Sequence, residues 1–341
     1  MNAETMMTIA AQLVADDKGL LAIDESIGTC NRRFAEHAIP QTEERRRRWR
    51  DLIITTPDIG QSISGMILSD ETIRQATDAG IPFASVLTNA GILVGIKVDA
   101  GAKPLAGFPG ESVTEGLDGL RQRLQIYARL GASFAKWRAV FVVGNGTPST
   151  ACIVANAHAL ARFAALCQET GLVPIVEPEL LMDGDHDLAV CGQLSQAILT
   201  GVFEQLSCQH VLLEAVILKP NMVLAGTDCA HQGTSQEVAD ATMQCLLRTV
   251  PAALPGIAFL SGGQSSALAS TRLDAMNVRF RSSRPWPLAF SFGRAIQQPA
   301  LSIWAGEDRN VERAQAELRY RAGCNRAARR GEYDLATDAP Y

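Results

Sequence analysis

The sequence predicts an α/β protein folded as a closed (β/α)8 TIM barrel. Three observations carry that prediction. Eight short apolar runs recur along the 341 residues, at 20–24, 63–69, 92–98, 133–140, 173–179, 213–220, 258–263 and 288–294. Amphipathic stretches of helical length separate most of them, as at 116–130, 150–170, 193–207 and 235–249. Polar or charged residues close seven of the eight runs. Near-continuous apolar runs suit parallel strands covered on both faces, and strand–helix alternation means a parallel sheet. Eight such units suit a closed barrel. An open doubly wound sheet is the alternative, but no G-x-G-x-x-G follows an early strand.

In a barrel, chemistry gathers at the C-terminal rim of the strands, and alternate strand residues face the interior. The run ends are therefore informative in order. The first ends in Asp24-Glu25-Ser26 and the third in Lys97-Val98-Asp99. The fourth carries Lys136 and Arg138 on one face, and the fifth carries Glu177 and Glu179 on one face. The sixth ends in Lys219-Pro220-Asn221, the seventh in Ser261-Gly262-Gly263, and the eighth in Ser291-Phe292-Gly293-Arg294. One buried ion pair is commonly structural. Seven polar strand ends on one rim point to a site.

Composition bounds the function. The chain is 47% hydrophobic and 20% charged with a net charge of −5, so no global field favours nucleic acid or an acidic membrane. The run Arg45-Arg46-Arg47-Arg48 with Arg50 reads as a solvated helical face. The eight cysteines are scattered without a CxxC pair, which suits reduced, mostly buried thiols. The five histidines are dispersed, and Asp183-Gly184-Asp185-His186-Asp187 lacks the length and terminal glutamate of an EF-hand. It reads as a polar loop that caps the next helix. No metal and no cofactor are expected. The N-terminus has no leader pattern and no run reaches membrane length, so a cytoplasmic location is expected. Residues 1–321 read as one barrel domain with an N-terminal helix. The loop at 101–110 is a βα connection, and 322–341 reads as a flexible C-terminal tail that reaches the active site.

Lysine is scarce: only Lys18, Lys97, Lys103, Lys136 and Lys219 stand among 31 basic residues. Leu213, Ala215, Ile217 and Lys219 share one face at period two, so Lys219 is an ammonium at the end of an apolar barrel face. Desolvation and a nearby cation such as Lys136 lower the pKa of such a lysine. The neutral amine can then attack a carbonyl, and the iminium that forms draws electrons from the adjacent carbon without a metal. Ser261, Gly262 and Gly263 form a glycine-rich turn whose N–H groups can cradle a phosphate, and Arg294 adds a forked cation.

The matching stretches 18–26, 95–99, 134–138, 174–179, 183–187, 218–222, 259–265 and 290–294 resemble, in order and over nearly the whole chain, class I fructose-1,6-bisphosphate aldolase. The resemblance implies a (β/α)8 barrel assembled as a homotetramer. It implies reversible cleavage of fructose 1,6-bisphosphate to dihydroxyacetone phosphate and glyceraldehyde 3-phosphate. It makes Lys219 the Schiff-base residue, Glu177 the proton carrier for carbinolamine formation and dehydration, and Asp24 the base at the C4 hydroxyl. Lys136 polarises substrate oxygens, Glu179 orients the lysines, and Tyr341 exchanges a proton with the enamine carbon. Ser261, Gly262 and Arg294 hold the C1 phosphate. Ser26, Arg33, Lys97 and Arg138 lie where the other phosphate is met, and Thr29, Gly263, Ser291 and Gly293 are further substrate- or phosphate-binding positions. Phe292 replaces a frequent tyrosine, and the tail is shorter than in the animal enzymes. Sedoheptulose 1,7-bisphosphate or fructose 1-phosphate as main substrate, and a non-catalytic scaffold, are the competing readings.

Overall fold

The structure, a computed structural model, describes residues 2–338. Its central sheet is a closed barrel of eight parallel strands in the order β1-β10-β9-β8-β7-β6-β3-β2. These are β1 (Gly19–Ala22), β2 (Ile63–Leu68), β3 (Leu93–Lys97), β6 (Phe134–Phe141), β7 (Val173–Leu180), β8 (Ile217–Leu218), β9 (Gly256–Phe259) and β10 (Leu288–Phe292). Each falls on one of the eight apolar runs. The remaining strands, β4 (Ala102–Pro104) and β5 (Ser112–Thr114), pair antiparallel as a small hairpin above β3. The 101–110 connection is therefore partly ordered as a hairpin arm. Its short, half-exposed strands carry no apolar run that would announce them.

Among the described residues twelve α-helices accompany the strands: α1 (Ala3–Leu13), α2 (Ile27–Ala35), α3 (Glu43–Ile54), α4 (Asp70–Ile73), α5 (Phe83–Asn89), α6 (Leu120–Arg129), α7 (Thr150–Thr170), α8 (Leu188–Cys208), α9 (Ser235–Thr249), α10 (Ser266–Arg279), α11 (Arg294–Trp304) and α12 (Val311–Arg330). Their starts obey capping chemistry. Asp187 caps α8 by accepting from Val190 N–H, and Thr234 with Glu237 forms a reciprocal capping box on α9. Helix α7 is long and apolar enough to span a bilayer by length and composition. Here that apolarity is used against the barrel, with Phe163 packed on Trp137 of β6 at a ring separation of 5.6 Å.

Two apolar layers result from strand alternation. Along β6, Phe134 faces inward while Ala135, Trp137 and Ala139 face the helices. The interior cluster continues through Leu20, Ala22, Val173, Ile175, Ala215, Ile217, Ala258 and Ala289. Helix α1 joins it: Met6, Ile9, Ala10 and Leu13 recur at helical spacing and close the N-terminal mouth of the barrel. Leu213 departs from the period-two face read from sequence. Residues Leu213–Ala215 form a 3-10 turn, which sends Leu213 to the outer layer while Ala215, Ile217 and Lys219 stay inside.

Two further expectations are corrected. The arginine run lies on α3 but is not one solvated face: Arg46 and Arg50 are buried, paired with Glu71 and Glu25. A helix presents every third or fourth residue to the same side, so a run of arginines must send some inward. The stretch read as tail begins inside a helix. Ala322, Asn325, Ala328 and Arg329 are buried on α12, which ends at Gly331 in the left-handed conformation. The chain then folds back, and Asp338 pairs with Arg321 and accepts from Tyr320 and Tyr333 hydroxyls. The eight cysteines carry no disulfide, and five of them are buried.

Candidate active site

The interior face of each strand changes from apolar to charged within one or two residues of the rim. Ala22 is followed on that face by Asp24, Phe134 by Lys136, Ile175 by Glu177, and Ile217 by Lys219. The β6–β7 register sets Lys136 beside Ile175 and Arg138 beside Glu177, and β3 sets Lys97 beside Lys136. These side chains line an open cavity of about 550 Å³ at the C-terminal rim.

Four charged groups make its floor, and all are buried. Lys136 Nζ lies 2.7 Å from Asp24 Oδ2 and 3.1 Å from Glu177 Oε2. Lys219 Nζ lies 3.1 Å from Glu177 Oε1. Glu177 thus bridges two ammonium positions with its two oxygens. The four protonation states differ because their surroundings do. Burial would lower the pKa of Lys136, but the carboxylates of Asp24 and Glu177 outweigh it and hold Lys136 well above the lysine range. Burial would raise Asp24 and Glu177, but Lys136 and Lys219 outweigh it and hold both carboxyls below their ordinary range. For Lys219 burial wins. It faces one carboxylate at close range, Lys136 adds repulsion, and its pKa falls below the ordinary lysine value. One amine of the pair is poised to lose its proton while the other stays charged.

The walls carry the anion-binding groups. The Ser261-Gly262-Gly263 turn needs glycine, since Gly262 and Gly263 have φ of 56° and 83°. A side chain on Gly263 would sit 3.6 Å from the Arg294 guanidinium, so the turn and that cation share one space. Gly293 and Arg294 open α11, and Ser291 is buried with its hydroxyl free of any partner among the described residues. Across the mouth, Ser26 caps α2 by accepting from Thr29 N–H, and Arg33 follows one helical turn later. Lys97 pairs with Asp99 at 2.8 Å.

Of the residues singled out in the sequence, Lys219, Glu177, Asp24, Lys136, Glu179, Ser261, Gly262, Arg294, Ser26, Thr29, Arg33, Lys97, Arg138, Ser291 and Gly293 line this one cavity. Gly263 lines an adjoining recess of about 470 Å³ that also borders Arg33 and Arg294. Tyr341 lies outside the described residues. One placement differs from expectation. Glu179 does not contact the lysines; its carboxylate pairs with Arg138 at 2.5 Å. Arg33 is held by Glu25 and by the amides of Gln297 and Gln298. Phe292 points out of the barrel onto Phe290, so a hydroxyl there would not face the cavity. Asp99, Arg32 and Glu36 also border the cavity without having been singled out. Asp99 could have been found, since it stands two positions past Lys97 on the same face, and its second oxygen accepts from Arg138 N–H. Among the described residues no group of three or more metal-ligating side chains converges.

Comparison with known proteins agrees with this architecture. The family model for class-I fructose-bisphosphate aldolase matches residues 5–340. A probable fructose-bisphosphate aldolase class 1 from Xylella fastidiosa is 53% identical over 334 residues, covering 98% of this chain and 99% of that protein. Fructose-bisphosphate aldolase B from Gallus gallus is 48% identical, covering 97% of this chain and 91% of its own length. The fructose-bisphosphate aldolase of Plasmodium falciparum, solved in complex with TRAP and a small-molecule inhibitor, superposes with a TM-score of 0.95 at 45% identity, covering 97% of this chain and 96% of that one. A charged barrel rim, a lysine of lowered pKa and relatives matched along nearly their whole length lead to one assignment: the chain belongs to the class-I fructose-bisphosphate aldolase family.

Proposed function

We propose that the chain cleaves fructose 1,6-bisphosphate reversibly to dihydroxyacetone phosphate and glyceraldehyde 3-phosphate through a Schiff base on Lys219. The observation that carries this is Lys219 itself: an amine buried at the rim, its pKa lowered, 3.1 Å from the carboxylate of Glu177. The neutral amine attacks the C2 carbonyl. The carbonyl oxygen takes one proton from solvent to become a hydroxyl, while Glu177, ionised at the start, takes a proton from the attacking nitrogen and returns it to that hydroxyl, which leaves as water. The iminium then draws the electron pair of the C3–C4 bond as Asp24 takes the C4 hydroxyl proton. The aldehyde departs and an enamine remains on Lys219. Protonation of its carbon and hydrolysis release the ketone. Lys136 stays cationic throughout and stabilises oxygen-centred negative charge.

Ser261, Gly262, Gly263, Ser291, Gly293 and Arg294 hold the C1 phosphate. Ser26, Thr29, Arg33, Lys97 and Arg138 meet the C6 phosphate. Glu179 acts by holding Arg138. Tyr341 carries the proton to the enamine carbon. A cytoplasmic homotetramer without metal or cofactor completes the reading.

The test is reductive trapping. Borohydride added with dihydroxyacetone phosphate is expected to leave one adduct, on Lys219, and chelator is expected to leave turnover intact. An adduct on another lysine, or chelator inhibition reversed by zinc, overturns the mechanism. Sedoheptulose 1,7-bisphosphate and fructose 1-phosphate share the required carbonyl, so kcat/KM for the three sugars ranks the substrates.

A further inference from the structure

Behind the glycine-rich turn sits a buried cation with no countercharge. Arg272 lies on the inner side of α10 and is 4% exposed. Among the described residues it has no carboxylate partner; its Nη1 donates to Gln264 Oε1 at 2.8 Å, and its Nε is unpartnered. Burial alone pushes its pKa down, with no neighbouring charge to offset the cost. Every other buried arginine near the rim is compensated: Arg33 and Arg50 share Glu25, and Arg46 has Glu71. An uncompensated buried guanidinium is expensive to keep.

Gln264 shows where that charge is directed. It is buried, its side-chain N–H donates to the Ser261 carbonyl at 2.9 Å, and its amide nitrogen lies 3.7 Å from Met222 Sδ. Met222 belongs to the loop that leaves Lys219, and Leu260 N–H donates to Pro220 O in the same loop at 3.0 Å. With its oxygen taken by Arg272, the Gln264 amide can present only N–H to Ser261. That engages the Ser261 carbonyl from behind, while Ser261 and Gly262 line the cavity on the other side of the turn.

We infer that Arg272 is a positioning residue for phosphate: acting through Gln264, it holds the Ser261-Gly262-Gly263 turn in its anion-accepting form, and the bound phosphate supplies the countercharge it lacks. This deepens the proposed function and rests on its assignment of that turn to a phosphate. The ligand class is a phosphate monoester dianion. Coulomb attraction through the interior favours a dianion at the turn over a neutral ligand there.

The test uses the full-length chain and inorganic phosphate as probe, with binding measured calorimetrically and thermal unfolding followed with and without phosphate. Arg272→Met is expected to unfold no earlier than wild type when empty, since a lone buried charge has been removed. It is expected to bind phosphate on the order of tenfold more weakly and to show a smaller phosphate-induced rise in Tm. Turnover of fructose 1,6-bisphosphate should show the loss chiefly in KM, and Arg272→Lys should recover part of it. Should Arg272→Met not fold, Arg272→Gln, which retains a donor for Gln264 without the charge, takes its place. Arg294→Ala is the control for the underlying reading. If Arg294→Ala loses phosphate affinity while the Arg272 variants keep it, the inference is overturned and the phosphate site stands. If Arg294→Ala also keeps full affinity, the phosphate reading of the turn fails and the inference falls with it.

Discussion

Asp24 and Glu25 are neighbours in the chain, yet their carboxylates serve two different buried ionic clusters. Asp24 points into the barrel, where its partner and the other cations in reach are lysines: Lys136 in contact, with Lys219 and Lys97 farther off. Glu25 points outward between α2 and α3, where its partners are arginines, with Arg33 at 2.5 Å and Arg50 at 2.8 Å. Gln297 donates to Glu25 as well, so its lone pairs are well used. The two clusters are similarly buried and within one residue of each other, but their cations differ in kind. A guanidinium keeps its proton at any ordinary pH and grips carboxylates with a planar fork. An ammonium is a point charge whose proton can be lost when burial outweighs its partners. The arginine cluster can only hold; the lysine cluster can exchange protons and bonds.

That contrast can be broken by substitution, beginning where the effect is largest. Lys219→Met should lower kcat by about 10⁵-fold or more, since the covalent route itself is removed, and it should lose no stability at neutral pH. The sign follows from linkage. A lysine whose folded pKa is lowered opposes folding at every pH below its unfolded value, so deleting it removes a penalty. A large stability loss in Lys219→Met would mean that the amine is held chiefly as a structural cation. Glu177→Gln should cost about 10²–10⁴-fold in kcat, the usual worth of a proton-transfer group. Arg50→Met inverts the pattern. Leaving Glu25 with one cation should cost about 3 kcal/mol in denaturant unfolding, while kcat stays within about threefold of wild type. A collapse of kcat beyond its stability loss would join the two clusters into one functional unit.

The smallest effect lies in pH. The trapping rate at Lys219 should rise with pH to a midpoint below 10.5, the ordinary lysine value. Glu177 is the main group opposing that lowering, so in Glu177→Gln the midpoint should move down further. An unchanged midpoint would show that the 3.1 Å pair does not govern the amine. In acid the two clusters should behave alike. Asp24, Glu25 and Glu177 all have lowered pKa values, so their stabilisation is present above the ordinary carboxyl range and is lost as pH falls through the lowered values.

The barrel was legible because each parallel strand is covered on both faces and so reads as a continuous apolar run. The site was legible for a related reason: a charge at the end of such a run has no structural excuse. Lys219 after Ala215 and Ile217 is the sharpest example. What could not be read depended on partners distant in sequence. Arg46 and Arg50 look like surface until Glu71 and Glu25, each 25 positions away, are brought beside them. Glu179 shares a face with Glu177, but only the β6–β7 register hands it to Arg138 rather than to a lysine. Arg272 sits in a polar helix and attracts no notice until the fold turns that side of α10 inward. The end of α12 reads as tail in the sequence because Arg326, Arg329 and Arg330 mask its periodicity. Yet Arg329 is buried, with Nη2 donating to Val14 O at 3.0 Å.

That last contact bears on the order of assembly. Helix α1 draws its neighbours from nearly the whole length of the barrel. Val14 packs against Gly256, Leu13 shares a cluster with Ile217 and Ala258, and Arg329 grips the carbonyl that ends the helix. The Ser64 hydroxyl of β2 also donates to Leu13 O at 2.6 Å, so early and late strands meet on this one helix. The helix is fully seated only once the barrel has closed, and its apolar face is open to wrong partners until then.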